Sequence, residues 1–356
     1  MRVPPILRRL DYFLALPFAL LLIFSSIVIS SGDLELAKQQ LGFVPLGLLI
    51  FVCGGLIDYR WLKKIALPLF ILLVLSLLMV KLVGVEVRGS VRWLEIGSLR
   101  FQPSEFAKVL FIIVVSTLLS GVAPNRLSLK RLIPVAFIIL IPTFLVFIQP
   151  DFGTSLIFIL VGSALIFSAG IQWRILIPLA LLGLTGLPFI WNLLRDYQKD
   201  RLLVFLNPDK DPLGAGYNVI QAIIAVGSGR MWGRGFGRGP QSQLRFLPEQ
   251  HTDFIFATLA EEWGMIGVML LFTLLFLLVL RIHLIALRSS DSFGVYLCLG
   301  VGYLLMSQIL INIGMNVGIM PVTGLPLPFV SYGGSALLSY SFALAIVHSV
   351  ALHSRS

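Results

Sequence analysis

Two ionisable groups at the edges of apolar segments are the side chains of this sequence best placed to do chemistry. Asp253 ends a polar run and directly precedes a long apolar stretch, while Lys108 lies one turn inside a different apolar stretch. A charge in such surroundings is costly to keep and needs a partner or a watery cavity. We therefore expect Asp253 to be the partner of Lys108, so that the two groups form a site.

Glu105 completes this group, because it precedes Lys108 by three residues and so lies on the same helical face. Pro103 and Glu105 are also ordinary helix-start signals, which account for Glu105 but not for Lys108. Asp253 has a structural alternative too: it or Thr252 could cap the following helix, at about 1 kcal/mol. The sequence predicts a Lys108–Asp253 pair at one membrane depth, with Glu105 orienting Lys108.

Composition determines the class of the protein that carries these groups. Hydrophobic residues make up 58% of the 356 residues and charged residues 12%, which is typical of a polytopic helical membrane protein and excludes a soluble domain. Cys53 and Cys298 lie inside apolar runs, so neither a disulfide framework nor a thiolate metal site is expected. The first apolar run, 12–30, has no small-residue cleavage site, and we interpret it as a retained span.

Windows long enough to cross about 30 Å of hydrocarbon predict ten transmembrane helices in an all-α fold. They lie near residues 12–30, 41–57, 65–83, 105–121, 132–148, 154–171, 173–194, 254–280, 293–313 and 333–353. An even number puts both termini on one side, and thirteen basic residues in the short loops of that side make it cytoplasmic by the positive-inside rule. We expect one domain over residues 1–356, with a large extracytoplasmic loop, 195–253, between helices seven and eight.

Two outer segments, 84–104 and 195–253, carry eleven of the 27 basic residues. These are Arg88, Arg92, Arg100, Arg195, Lys199, Arg201, Lys210, Arg230, Arg234, Arg238 and Arg245. Long loops escape the positive-inside rule and can pair their charges internally. Alternatively, they form an electropositive surface that attracts a phosphate or pyrophosphate head group.

The outer loop 195–253 has two recognisable parts. Residues 215–228 are apolar but short for a span, which predicts a re-entrant or interfacial helix. Around Arg234, arginines alternate with glycines, a pattern that can bring N–H groups and guanidinium groups close to phosphate oxygens. Because this run lies between spans and faces outward, we expect no nucleic-acid binding.

Several other polar segments have two interpretations or a structural one. Glu261 and Glu262 lie about two turns below Asp253 and could serve packing or a proton path. The turn at 149–154 reads as structural. The charge-free outer loop 312–335 suits contact with a lipid or polyprenyl tail, or a rigid connector rich in proline and glycine.

Long motifs in a fixed order resemble the SEDS family of shape, elongation, division and sporulation proteins. They are Trp93 with RFQPSEFAK (100–108), QPDFGTS (149–155), NPDKDPLGAGYNVIQA (207–222), GRGFGRGPQSQLRFLPEQHTDFIFATLAEEWG (233–264) and LPLPFVSYGGSA (325–336). The similarity runs over essentially the whole chain. Within the family, the PLGAGYN and QSQLRFLPE runs and the short terminal segments are most similar to RodA, the elongation member.

The resemblance implies a peptidoglycan glycosyltransferase of the bacterial cytoplasmic membrane that polymerises lipid II at the outer face. It also implies a class B penicillin-binding protein as the crosslinking partner. By the same likeness, Asp253 is the essential acid, and Trp93, Arg100 and Arg201 join Arg234 as candidates for substrate binding. Because a partly buried carboxylate can take a proton from a hydroxyl group, we expect Asp253 to be the general base that deprotonates the acceptor sugar, with Lys108 holding it. Arginines or a divalent cation, Mg²⁺ or Mn²⁺, would stabilise the departing pyrophosphate, although no all-protein metal site is predicted.

Two rival functions fit parts of this pattern. A flippase would also have paired charges at membrane depth and an anionic lipid ligand. It would need polar groups on a path to both sides, whereas the predicted cluster gathers near the outer surface. A non-catalytic scaffold for the penicillin-binding protein would not require Asp253 or Lys108.

Overall fold

The computed structural model describes residues 10–87, 90–97, 99–121, 127–194, 196–207, 216–244 and 246–354. Its helices are α1 (Tyr12–Gly32), α2 (Leu34–Leu56), α3 (Arg60–Lys64), α4 (Ala66–Val83), α5 (Pro103–Ser120), α6 (Leu129–Ile148), α7 (Phe152–Ser168), α8 (Trp173–Leu193), α9 (Asp196–Leu206), α10 (Tyr217–Gly229), α11 (Pro240–Gln243), α12 (Ile255–Arg288), α13 (Ser292–Asn316) and α14 (Gly334–His353). Of the predicted outer basic residues, Arg88, Arg195, Lys210 and Arg245 lie outside the described residues.

Within these ranges, eight helices are long and apolar enough to cross a bilayer: α1, α2, α4, α5, α6, α12, α13 and α14. The helices α7, with 17 residues, and α8 occupy the positions of the predicted sixth and seventh spans. The prediction of a mostly helical integral membrane protein is confirmed. The number of ten crossings and their orientation stay predictions.

The helices that carry the candidate site lie inside the bundle. In the most apolar windows of α5 and α14, 72% of the residues are buried, against 22% in α2 and α4. The helix α5 packs against α4, α13 and α14, and α12 packs against α1, α10 and α13. Charged groups on α5 and at the start of α12 are therefore surrounded by protein, where their positions can be fixed by neighbouring side chains.

A small antiparallel sheet precedes α5 and is an addition to the predicted all-α fold. Its strands are β1 (Val85–Val87), β2 (Ser90–Ile96) and β3 (Leu99–Phe101), in the order β1-β2-β3. Val85 lies opposite Trp93 and Glu95 lies opposite Arg100. Valine, tryptophan and isoleucine in β2 favour an extended, paired strand. The sheet leads directly into α5 and so sets where that helix begins.

The predicted short helix of the outer loop forms as α10. It has 13 residues, and Val219, Ala222 and Ala225 are buried where it packs against α12 and α13. At 1.5 Å per residue, a helix of this length spans about 20 Å and is too short to cross a bilayer. The helix therefore has the length expected of a re-entrant or interfacial element.

Contacts at one end of the bundle bring the two ends of the described chain together. Asp11, before α1, forms an ion pair of 2.5 Å with Arg281 near the end of α12. The Ser290 hydroxyl, just after α12, donates to Ser354 O at 2.9 Å. The start of α1 and the end of α14 therefore lie on the same side of the bundle, as an even number of crossings requires.

Candidate functional site

Asp253 lies immediately before α12 and is half-buried. Phe254 occupies the capping position of the helix, so neither Asp253 nor Thr252 is its N-cap. The Asp253 carboxylate lies beside the loop between α13 and α14, since a Cβ atom added to Gly324 would be 3.6 Å from Asp253 Oδ2. The acid is thus placed at a junction of two backbone segments and not on the helix itself.

The loop before α14 holds the backbone that leads to Asp253. Tyr332 N–H donates to His251 O at 2.8 Å. The Ser331 hydroxyl donates to Thr252 O at 2.6 Å and accepts a hydrogen bond from Leu327 N–H at 2.8 Å. These bonds support the rigid-connector interpretation of this charge-free loop.

Two asparagines of α13 hold the next carbonyl along the chain. Asn312 Nδ2 and Asn316 Nδ2 donate to Asp253 O at 3.0 and 3.1 Å, and both side chains are fully buried. Asn312 Nδ2 also donates to Leu325 O at 2.8 Å. Three consecutive carbonyls, those of residues 251 to 253, therefore accept hydrogen bonds from the α13–α14 region.

Glu105 and Lys108 form a buried ion pair on α5. The distance from Lys108 Nζ to Glu105 Oε1 is 2.7 Å, and the two side chains are 1% and 2% exposed. The predicted placement on one helical face is what the structure shows. Such a pair is kept only with good geometry, because removing two charges from water costs several kcal/mol per ion.

Polar groups of α13 and α14 surround this pair. The Ser339 hydroxyl donates to Glu105 O at 2.7 Å, and Lys108 Nζ is 5.5 Å from the centre of the Tyr340 ring. The Tyr340 hydroxyl donates to Gln308 Oε1 at 2.6 Å. Within the described residues, Glu105 Oε2 and Gln308 Nε2 are buried without a hydrogen-bond partner. This cluster can therefore form further hydrogen bonds inside the bundle.

The ion pair that the structure shows for Lys108 is the one with Glu105, and a Lys108–Asp253 pair stays a prediction. The two positions are connected through α13. Gln308 reaches Tyr340 beside Lys108, and Asn312, one turn further along the helix, holds the Asp253 carbonyl. The four residues from Gln308 to Asn312 correspond to a rise of about 6 Å along α13.

Arg201, on α9, contacts the same loop as the acid. Its Nη1 donates to Val322 O at 3.3 Å, two residues before Gly324, which lies beside the Asp253 carboxylate. A small cavity of about 10 Å³ lies at this point, lined by Phe152, Gln198, Arg201, Leu202, Pro321, Val322 and Thr323. The structure therefore brings Arg201 into the neighbourhood of Asp253.

Trp93 and Arg100 lie on the sheet that leads into α5. Trp93 is half-buried on β2, and the exposed Arg100 side chain pairs with Glu95 Oε1 at 3.0 Å. The Ser335 hydroxyl, at the start of α14, donates to Arg100 O at 3.3 Å. These residues form an outer surface next to the start of α5, within reach of a ligand from outside the bundle.

Arg92 has a structural role that the sequence did not indicate. Its guanidinium donates to Pro150 O and lies 3.8 Å from Asp151 Oδ1. Asp151 also accepts the Thr154 N–H and so caps α7. The structural interpretation of the turn at 149–154 is therefore supported, and Arg92 is one outer arginine engaged in internal charge pairing.

The backbone around Arg234 packs against α12. Arg234 N–H and Gly235 N–H donate to the carbonyls of Glu261 and Glu262 at 2.8 and 3.0 Å. A Cβ atom at Gly233, where φ is +78°, would lie 2.1 Å from Glu262 O, so this approach needs glycine. These N–H groups are engaged within the protein, which corrects the expectation that they face a phosphate. The Arg234 side chain is exposed and stays a candidate for ligand binding.

Glu261 is fully buried and holds the short helix α11. Its carboxylate accepts Gln241 N–H at 2.9 Å, Ser242 N–H at 3.1 Å and the Ser242 hydroxyl at 2.9 Å. Of the two interpretations of Glu261, the structure favours packing, because the carboxylate compensates N–H groups at the start of α11. Glu262 is buried next to it.

No group of three or more His, Cys, Asp or Glu side chains is placed to hold a metal ion in the described part of the chain. The use of a divalent cation therefore stays a prediction, in which the cation would be bound together with the substrate.

Comparison with known proteins identifies the family. The family model described as "Cell cycle protein", for FtsW, RodA and SpoVE, matches residues 8–356. The chain belongs to this family. The SEDS resemblance of the sequence motifs is thereby confirmed.

Individual members of the FtsW/RodA/SpoVE family match over nearly the whole chain. "Peptidoglycan glycosyltransferase MrdB" of Escherichia coli (strain K12) is 41% identical over 350 residues, covering 97% of this chain and 94% of the relative. A solved structure on the coordination of polymerization and crosslinking by a peptidoglycan synthase complex has a TM-score of 0.84 at 30% identity, covering 96% and 97%. The crystal structure of the rod shape determining protein RodA of Thermus thermophilus has a TM-score of 0.74 at 28% identity, covering 98% of both chains.

Sequence reasoning missed the asparagines that hold Asp253. Asn312 was assigned to the apolar ninth span and Asn316 to the following loop, whereas α13 includes both. Two asparagines at i and i+4 in an apolar helix were a usable signal, because amides at membrane depth need partners.

Proposed function

We propose that this chain is a peptidoglycan glycosyltransferase that polymerises lipid II into β-1,4 glycan strands during cell elongation and shape maintenance. Its Escherichia coli relative is named for that activity. The observation that carries the proposal is the placement of Asp253. The Asp253 side chain is half-buried and lies near a small cavity lined by Arg201. The backbone of this segment is held in place because the carbonyls of residues 251 to 253 all accept hydrogen bonds.

Asp253 acts as the general base in an inverting transfer. Its carboxylate takes the proton of the acceptor sugar's 4-hydroxyl while that oxygen bonds to the donor's anomeric carbon. The bond between this carbon and the pyrophosphate oxygen breaks, and undecaprenyl pyrophosphate leaves. The donor is α-linked and the product β-linked, so one inversion suffices and no enzyme nucleophile is needed.

Glu105 and Lys108 set the electrostatics behind this base. The 2.7 Å ion pair fixes the ammonium in the bundle interior, where charge interactions are stronger than in water. Lys108 holds Asp253 in position and ionised until the substrate arrives, and Glu105 orients Lys108. Gln308 and Asn312 on α13 are the polar groups that connect the two positions.

Cationic groups of the outer surface bind the lipid-linked substrates. Arg201 lines the pocket next to the loop that flanks Asp253, and the exposed Arg100 and Arg234 side chains supply further guanidinium groups. Guanidinium forks match pyrophosphate oxygens, and Trp93 offers an aromatic face to a sugar. These arginines stabilise the leaving group, and Mg²⁺ or Mn²⁺, if bound with the pyrophosphate, would supply further positive charge.

This reaction requires a defined topology and two kinds of partner. Ten spans within a single domain of residues 1–356 place both termini in the cytoplasm and loop 195–253 outside. The contacts that join the Asp11 end of the chain to the Ser354 end support an even number of crossings. The protein would lie in the bacterial cytoplasmic membrane, accept lipid II and lipid-linked glycan from surrounding lipid, and work with a class B penicillin-binding protein.

The test is a reconstitution with labelled lipid II, with and without the penicillin-binding protein. Glycan ladders that persist with a crosslinking inhibitor and vanish in Asp253→Asn are expected. Translocation of lipid II in liposomes without ladders would favour a flippase. Ladders of wild-type length from Asp253→Asn would refute the assignment of the base.

A further inference from the structure

Asn316 bonds the last unpaired N–H group at the start of α12. In an α-helix, the N–H of residue i bonds to the carbonyl of residue i−4, so the N–H groups of Phe254 at the N-cap and of the three residues after it have no partner within the helix. The last of them, Ala257 N–H, donates to Asn316 Oδ1 at 3.1 Å, and Asn316 Nδ2 donates to Asp253 O at 3.1 Å and to Asn312 O at 2.8 Å. The amide of Asn316 lies between the two groups and bonds to each as a peptide would.

The next bond along the chain is an ordinary helical one. Thr258 N–H donates to Phe254 O at 3.1 Å. The helix therefore has Phe254 at its N-cap and begins at Ile255, and the Asn316 amide bonds both to its first turn and to the backbone of Asp253 just outside it. If Asp253 joined the helix, the direction of its side chain would change to one set by the helical repeat of about 100° per residue.

Asn312 reinforces the same arrangement from one turn earlier on α13. Its Nδ2 donates to both Asp253 O and Leu325 O, at 3.0 and 2.8 Å. Leu325 follows Gly324, whose backbone lies against the Asp253 carboxylate. One amide thus joins the backbone of the acid to the loop beside its carboxylate, which fixes their separation.

The burial of both asparagines makes this arrangement stiff. Each side chain is fully buried, and a buried polar group left without its partner costs about 1–3 kcal/mol. Breaking these bonds inside the bundle is therefore costly. Asparagine is a poor helix former, so helix propensity does not explain why these two residues stand in α13.

We propose that Asn316, supported by Asn312, is the positioning residue of the general base. Its amide bonds Ala257 N–H in the first turn of α12 and Asp253 O just before the helix, and so holds Asp253 outside the helix, with its carboxylate beside the loop at Gly324. This inference rests on the proposed function, because it assigns a role relative to Asp253 as the base.

The test compares purified full-length variants with lipid II as the probe. Asn316→Ala removes the bonds to Ala257 N–H, Asp253 O and Asn312 O. Asn316→Asp keeps the acceptor for Ala257 N–H but removes the amide donor to Asp253 O, and Asn312→Ala removes the supporting donor. Ser349→Ala is the matched control, because this buried serine accepts Tyr59 N–H and donates to Ile57 O at the opposite end of the bundle.

Asn316→Ala and Asn316→Asp should lower kcat about 10- to 100-fold, since a shift of about 1 Å in a catalytic group has an effect of this size. KM for lipid II should stay within about twofold, because the substrate-binding arginines are untouched. Hydrogen exchange should show altered protection confined to residues 250–262. Ser349→Ala should show a comparable loss of thermal stability with kcat unchanged.

Two results would overturn the proposal. One is a kcat per folded molecule in Asn316→Asp and Asn312→Ala that matches the Ser349→Ala control. Asn312→Ala, which adds no charge, keeps the test valid if the Asn316 variants do not fold. The other is an asparagine variant that keeps the kcat of the control and differs from it only in a higher KM for lipid II. Asp253→Asn is assayed in parallel: if it remains active, the proposed base is wrong, whereas an inactive Asp253→Asn beside fully active asparagine variants refutes the positioning role alone.

Discussion

The buried ion pair between Glu105 and Lys108 leads to a prediction in which effects on stability and effects on activity can be told apart. Removing one partner, in Glu105→Gln or Lys108→Met, leaves the other group buried without its counter-charge. The 2.7 Å contact and the exposures of 1% and 2% place the pair in the class for which this costs about 3–5 kcal/mol. Replacing both partners at once removes the uncompensated charge, so Glu105→Gln/Lys108→Met should be within about 1 kcal/mol of the wild type.

The chain contains a matched control for this cycle. Lys38 and Glu35 are also an i,i+3 pair with a 2.7 Å contact, but their side chains are 60% and 74% exposed. Breaking this exposed pair should change stability by only about 0.3–0.5 kcal/mol. The comparison therefore holds sequence spacing and distance constant and varies burial.

Unfolding would be followed by SDS titration in mixed micelles, and polymerisation by glycan yield per folded molecule. The double variant should recover stability and remain inactive, because the Lys108 ammonium is still missing from the site. Recovery of activity together with stability would show that the pair is only structural. Single variants no less stable than the Lys38–Glu35 controls would refute the burial argument.

Three further changes probe the elements around the site. Gly264→Ala should destabilise the protein by about 1–3 kcal/mol and increase proteolysis of loop 230–239. The reason is that φ at Gly264 is +62° and the new Cβ would lie 2.3 Å from a facing backbone nitrogen. Unchanged stability would contradict this prediction. Burial raises the pKa of the Tyr332 phenol above 10.0, and the protonated phenol donates to Gln39 Oε1. The stability it contributes should be complete below about pH 10 and lost as pH rises through the higher folded pKa; Tyr332→Phe should remove this alkaline loss, as measured by unfolding and phenolate absorbance. Arg281→Met should cost about 1–3 kcal/mol through loss of the pair with Asp11 and leave kcat per folded molecule unchanged, whereas a selective fall in kcat would connect that end of the bundle to catalysis.

Periodic and compositional features of this fold were predictable from the sequence. Long apolar windows located the helices, and the i,i+3 spacing placed Glu105 and Lys108 on one face, because both features depend only on helical geometry. The short apolar run at 215–228 likewise became α10. In each case neighbouring residues carry the necessary information.

Features that depend on contacts between distant segments were not predictable. The strands of the 85–101 sheet are too short for a reliable period, and two of them have three residues each. The glycines around Arg234 suggested a phosphate cradle, whereas they allow close packing against Glu262 of α12. The contact of Asn316 with Asp253 joins residues 63 positions apart: the spacing of Asn312 and Asn316 indicates that these amides need partners, but it does not identify Asp253 as the partner.

The rate of glycan formation by Asp253→Asn, compared with the wild type at equal lipid II occupancy, tests the central claim most directly. Asparagine keeps the size of the side chain and removes its basicity. The account predicts that lipid II binding is retained and that the rate falls by about 10²- to 10⁴-fold, the range associated with a lost general base. A variant that polymerises at the wild-type rate, or one that loses lipid II binding and shows full catalysis once saturated, would contradict it.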